Sequence, residues 1–219
     1  MINDKIIESL SKKLNKDDIL GREEAFNTAV VIPLISINGE LSLLFEKRAK
    51  NIRQGSEICF PGGMFDKEVD NNYLDTAIRE TNEELGIESE KIRNLGKLGS
   101  FVNVNNVIVE SFVAELKIDL LDEIKTDPKE VDRIFTVPIS YFRQNKPDEY
   151  KVKIEASPYE INENGEKIIL FPSEELNLPR KYHKPWGQRM RKIYVYKYDG
   201  EVIWGITAFL TREFIKRMD

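Results

Sequence analysis

The chain has 219 residues, with 33 Lys and Arg against 38 Asp and Glu and a formal net charge of −5 at pH 7. That balance argues against general nucleic-acid binding, and a single cysteine excludes an internal disulfide or a cysteine-cluster metal site. No apolar run reaches the roughly 18 residues of a membrane span, and residues 1–20 are too polar for a secretory signal, so a cytoplasmic protein is expected.

Residues 3–16, within an N-terminal helical region 1–24, predict an amphipathic helix with Ile6, Ile7, Leu10 and Leu14 on one side. Ala25–Leu34 and Leu41–Phe45 read as strands joined through Asn38-Gly39, a hairpin turn pair. Glu57–Phe60 is a short strand running into a Pro61-Gly62-Gly63 turn, with Cys59 buried between Ile58 and Phe60. A helix is predicted from about Asn72, which with Asp75 forms a cap arrangement, to Gly86, a suitable C-terminal glycine. Leu95–Val102 and Val107–Leu116 alternate as a second hairpin around Asn105-Asn106, and Glu130–Val137 is a strand after Asp127-Pro128. Residues 143–192, rich in charge, proline and turns, are expected to be an insertion within one domain spanning 1–219. Lys192–Tyr198 and Glu201–Trp204 follow as strands, then a helix from about Thr207 to Arg217 that Trp204-Gly205 packs onto the sheet.

The chemistry concentrates on the predicted helix over 72–86. Glu80, Glu83 and Glu84 stand at i, i+3 and i+4, within an arc of about 100°. Leu74, Ala77, Ile78, Thr81 and Leu85 cluster within roughly 60° of Leu74, so one face can bury while the glutamates point broadly away. Like charges at these spacings repel by a few tenths of a kcal/mol per pair unless something neutralises them. Hard carboxylate oxygens suit Mg²⁺ or Mn²⁺, cations that bridge protein carboxylates to phosphates. Gly62 and Gly63 permit close approach of backbone to metal or phosphate. The competing reading is an acidic face that is simply solvated.

Residues 60–87, FPGGMFDKEVDNNYLDTAIRETNEELGI, resemble the Nudix box, G-x5-E-x7-R-E-U-x-E-E-x-G-U with U aliphatic. Arg79, Glu80, Glu83, Glu84, Gly86 and Ile87 match, and Phe60-Pro61-Gly62-Gly63 matches the start of the same loop. The first half departs. Six residues on from Gly63 stands Val69 and eight back from Arg79 stands Asn71, so the loop is longer by two residues; Asp70 is the nearest acid, and Thr81 replaces an aliphatic residue. The resemblance implies an α+β Nudix fold, a mixed β-sheet sandwiched between helices, and a hydrolase of phosphoanhydride bonds. It implies Mg²⁺ or Mn²⁺ held by Glu80, Glu83 and Glu84, with Asp70 standing in for the missing box glutamate. Glu83 or Glu84 would take part in activating water, and Arg79 would orient a glutamate. A further acid from outside the box is expected among Glu110, Glu115 and Glu130, with Glu130 preferred for its place after the Asp127-Pro128 turn.

The segment RAKNIRQGSEICFPGG, residues 48–63, resembles the extended motif before the box in the coenzyme A pyrophosphatase branch. Residues 127–138, DPKEVDRIFTVP, and 203–208, IWGITA, also look like that branch. It implies cleavage of coenzyme A or its derivatives to adenosine 3′,5′-bisphosphate and 4′-phosphopantetheine, with Arg48, Arg53, Gly62 and Gly63 at the substrate. Another nucleoside diphosphate derivative, such as ADP-ribose or a dinucleotide, is the alternative substrate. A noncatalytic Nudix-like nucleotide-binding module is the alternative of another class.

Overall fold

The computed structural model describes residues 19–37, 39–118 and 120–218, together with Glu8, Ser9 and Leu14. Apart from those last three, the helix expected over 3–16 lies outside the described residues. The elements begin with β1 (Phe26–Ile37), β2 (Glu40–Arg48), β3 (Ile58–Cys59), β4 (Gly62–Met64), α1 (Tyr73–Leu85), β5 (Ile92–Asn103) and β6 (Val107–Leu116). They continue with β7 (Val131–Pro138), α2 (Ile139–Gln144), β8 (Asp148–Ala156), β9 (Tyr159–Ile161), β10 (Lys167–Ile169), β11 (Trp186–Tyr198), β12 (Glu201–Trp204) and α3 (Gly205–Met218). The chain divides into two compact units: Met1–Leu34 with Pro61–Asp127, and Ile35–Phe60 with Pro128–Asp219. Among the described residues no helix is long and apolar enough to cross a membrane.

In the first unit β1 runs parallel to β6, from Phe26 opposite Val107 to Leu34 opposite Glu115, and β5 lies antiparallel on the far side of β6. Parallel and antiparallel ladders in one α+β chain agree with the mixed sheet expected. The Pro61-Gly62-Gly63 segment is not the tight turn its composition predicts. Gly62–Met64 forms β4, antiparallel to β1, with Ala29 opposite Gly63 and Val30 opposite Gly62. A Cβ at Gly62 would fall 2.2 Å from the carbonyl oxygen of Ala29, and its φ is +154°, so only glycine lets this strand lie so close. Ala29, Val31, Ile32, Ala77, Leu85, Ile108 and Val109 are buried in this unit.

In the second unit β2 pairs with β3 and β7, both antiparallel. Phe45 stacks on Phe60 at 4.9 Å and on Phe135 at 5.5 Å between ring centroids, which closes the core of this unit. Residues 143–192 supply β8 and most of β11, and β11 lies between β8 and β12. Trp204 is 45% exposed and the neighbouring Ile203 fully buried, and the Thr207 hydroxyl of α3 donates to the carbonyl of Ile58 at 3.1 Å.

Candidate functional site

Helix α1 starts and stops where its sequence says it should. The Asn72 side chain accepts hydrogen bonds from the backbone N–H groups of Leu74 and Asp75, satisfying donors that the first turn leaves open, worth about 1 kcal/mol. Gly86 ends the helix in the left-handed conformation at φ +62°. Thr81, the unusual residue of the box, is fully buried, and its hydroxyl donates to the carbonyl of Ala77 at 2.6 Å, so no polar group is orphaned.

The three glutamates do not share one environment. Glu83 is the exposed member, its side chain 56% accessible. Glu80 is largely covered, and its carboxylate sits directly over Gly63, where a Cβ would fall 2.3 Å from the Glu80 Cδ. Glu84 is buried, against the expectation that it points away with the others, and its Oε2 accepts the backbone N–H of Gly62 at 2.8 Å. Because Gly62 and Gly63 carry no side chains, β4 passes beneath the helix close enough for two glutamates to rest on its backbone. The glycine-rich segment therefore positions carboxylates, a role that composition alone does not reveal.

Arg79 organises the cluster. Its Nη1 donates to Glu80 at 2.8 Å and to Glu83 at 3.1 Å, and its Nε and Nη2 donate to the two oxygens of Asp70, each at 3.0 Å. Asp70 is 5% exposed and also accepts from the Thr76 hydroxyl at 2.8 Å and the Asp66 N–H at 3.1 Å. Those bonds, with Arg79 first, outweigh burial and hold the Asp70 carboxyl down to about 2, while the same pair raises the Arg79 guanidinium. Both Asp70 oxygens are thus engaged by donors of the chain itself. The two extra loop residues bring a short acid beneath Arg79.

Arg48, Arg53 and Glu130 belong to the second unit. The Arg48 Nε donates to the carbonyl of Arg53 at 3.3 Å, and the Arg48 carbonyl accepts the Ser56 N–H at 3.0 Å, so Arg48 braces its own loop. Arg53 is exposed. Glu130 is exposed as well, and its carbonyl accepts the Ala49 N–H at 2.8 Å. A cavity of about 500 Å³ lies in this unit, lined by Ala49, Lys50, Asn51, Ile52, Pro128, Lys129 and Asp132.

The donor set of α1 suits a hard divalent cation: three carboxylates at one helix face, two of them seated on glycine backbone. Among the described residues no three acid, histidine or cysteine side chains converge on one point, because Arg79 lies between Glu80 and Glu83 while Glu84 turns to Gly62. Sequence reasoning passed over Arg22 and Lys97, which hold Glu110 at 2.5 and 2.6 Å. The available signal was Glu110 itself, a carboxylate within the apolar strand VIVESFVAEL.

Comparison with known proteins returns a family model described as NUDIX domain, matching residues 25–155. The chain is 29% identical over 173 residues to peroxisomal coenzyme A diphosphatase NUDT7 of Mus musculus, covering 77% of this chain and 69% of that one. It is 32% identical over 172 residues to Nudix hydrolase 3 of Caenorhabditis elegans, covering 73% and 67% of the two chains. With mitochondrial coenzyme A diphosphatase NUDT8 of Mus musculus it shares 30% identity over 124 residues, 56% of this chain and 59% of that one.

Proposed function

The chain belongs to the NUDIX domain family, and we propose that it is a diphosphatase acting on coenzyme A or its derivatives. The products are adenosine 3′,5′-bisphosphate and 4′-phosphopantetheine, and the cofactor is Mg²⁺ or Mn²⁺. The observation that carries the catalytic reading is the seating of Glu80 and Glu84 on the backbone of Gly63 and Gly62, beside Glu83 on the same helix. Two relatives named as coenzyme A diphosphatases and the segment 48–63 support the choice of substrate.

Cleaving a phosphoanhydride requires water in line with phosphorus and neutralisation of charge on two anionic groups. A bound divalent cation supplies both, by lowering the pKa of water and clamping phosphate oxygens. Glu80, Glu83 and Glu84 are the residues that would hold it. Gly62 keeps Glu84 aimed by donating to one of its oxygens, and Gly63 leaves Glu80 its space. Arg79 gathers Glu80 and Glu83 and limits their repulsion; Asp70 fixes the guanidinium from below. Asp70 therefore acts as a positioning residue for Arg79 rather than as the metal ligand the sequence suggested. Arg53 and the loop braced by Arg48 serve substrate binding, and Glu130 remains the candidate acid outside the box.

A metal titration of turnover tests this assignment. Glu83→Gln and Glu84→Gln should each cut kcat at saturating metal by about 100-fold or more, equal to about 2.7 kcal/mol of transition-state stabilisation. Their melting temperatures should stay close to the wild type. Near-normal kcat in either variant would remove that residue from the metal-binding set.

A further inference from the structure

Glu110, on β6, is a buried carboxylate to which the proposed reaction gives no role. It is 1% exposed and receives Arg22 Nη2 at 2.5 Å on one oxygen, with Lys97 Nζ at 2.6 Å and the Ser100 hydroxyl at 2.7 Å on the other. Burial pushes its carboxyl up, and Lys97, Ser100 and Arg22 together outweigh that and hold it below the ordinary value. One cation would neutralise it; two are present. Arg22 is the more enclosed, its Nη1 donating to Asn27 at 3.1 Å and its guanidinium lying 5.0 Å from the Tyr73 ring of α1. Lys97 is about half exposed, and its ammonium carries three donors of which Glu110 takes one. The surplus positive charge therefore sits on Lys97.

Sheet register says where that charge lies. Gly63, Ala29, Glu110 and Ser100 are successive lateral partners across β4, β1, β6 and β5. Lateral partners project to the same face of a sheet. The Gly63 Cβ direction is where the Glu80 carboxylate rests, so Glu110 rises on the face that carries Glu80. Two strand spacings, about 10 Å, separate the two backbone positions. Lys97, whose ammonium rests on Glu110, therefore stands on the sheet face that carries Glu80.

We propose that Lys97 binds the phosphoryl group of the substrate's diphosphate that lies farther from Glu80, with Glu110 as the positioning residue that aims its ammonium. The assignment rests on the diphosphatase reading but not on coenzyme A as the substrate, since any nucleoside diphosphate derivative presents the same group.

Calorimetric titration of coenzyme A and of ADP-ribose in EDTA, where no turnover intrudes, tests it. Lys97→Gln should raise Kd by about tenfold for whichever ligand the wild type binds, and Lys97→Arg should restore it to within about twofold. Glu110→Gln should weaken binding similarly, whereas Lys117→Gln should leave it unchanged. An unchanged Kd in Lys97→Gln, or failure of arginine to rescue a folded variant, would overturn the proposal. If the wild type binds ADP-ribose alone and Lys97→Gln weakens it, the coenzyme A reading fails while this one stands. Binding of coenzyme A that is indifferent to Lys97 gives the reverse.

Discussion

Replacing Asp70 by Asn keeps the side chain's shape and removes the charge beneath Arg79. The amide has one acceptor oxygen, so one of the two Arg79 contacts at 3.0 Å is lost, and an N–H₂ group is set against the donors of Thr76, Asp66 or Arg79. A charge-assisted hydrogen bond contributes about 1.5–3 kcal/mol. Water reaching the quarter-exposed Arg79 recovers part of the loss, leaving a destabilisation of about 2 kcal/mol. For a chain of this size that lowers Tm by about 4–8 °C. The pH dependence supplies a second signature. Asp70 is held down to about 2 from an ordinary 3.8, so its stabilisation is fully present above the unfolded value and is lost as pH falls through the folded one. Denaturant titrations of the metal-free protein should show a constant gap between wild type and Asp70→Asn from pH 7 to about 5, shrinking by about half near pH 3. A gap below about 0.5 kcal/mol at neutral pH, or one that ignores acid, would refute the buried pairing.

Other perturbations read neighbouring parts of the account. Gly63→Ala drives a Cβ to 2.3 Å from the Glu80 Cδ; because the clashing atoms end a flexible side chain, Tm should move little while the metal concentration for half-maximal rate rises several-fold. Gly86→Ala places a side chain at φ +62° and 2.5 Å from the carbonyl oxygen of Lys125, both backbone constraints, so it should cost about 2 kcal/mol or more in a thermal melt. Arg48→Ala frees the loop it braces and should raise KM for coenzyme A and 3′-dephospho-coenzyme A alike. Arg53→Ala should raise KM chiefly for coenzyme A, which alone carries the 3′-phosphate; equal losses would confine Arg53 to the fold or the shared diphosphate.

What could be read from the chain was what is decided locally. Asn72 and Gly86 delimit α1 because a cap depends on a few adjacent backbone groups, and the i, i+3, i+4 glutamates keep their register for the same reason. Burial of Glu84 escaped the helical projection because it depends on β4 passing beneath the helix, and Gly62 and Gly63 read as a turn until their pairing with β1 is known. Asp70 was legible as the nearest acid in a lengthened loop, yet its partner Arg79 stands nine residues on, and only the folded loop shows which cation it meets. Strands β8 and β11 pair between residues as far apart as Asp148 and Val195; β8 and the 186–192 half of β11 are mostly exposed and lack a clean alternation, so composition suggested only an insertion over 143–192.

The most direct test of the central claim is a product-resolved assay with coenzyme A, ADP-ribose and a dinucleotide, each with Mg²⁺ and Mn²⁺, read by mass spectrometry. Coenzyme A should be turned over with the highest kcat/KM and yield adenosine 3′,5′-bisphosphate and 4′-phosphopantetheine, with no turnover in EDTA. Faster cleavage of ADP-ribose or the dinucleotide, or an inert protein with either metal, would contradict it.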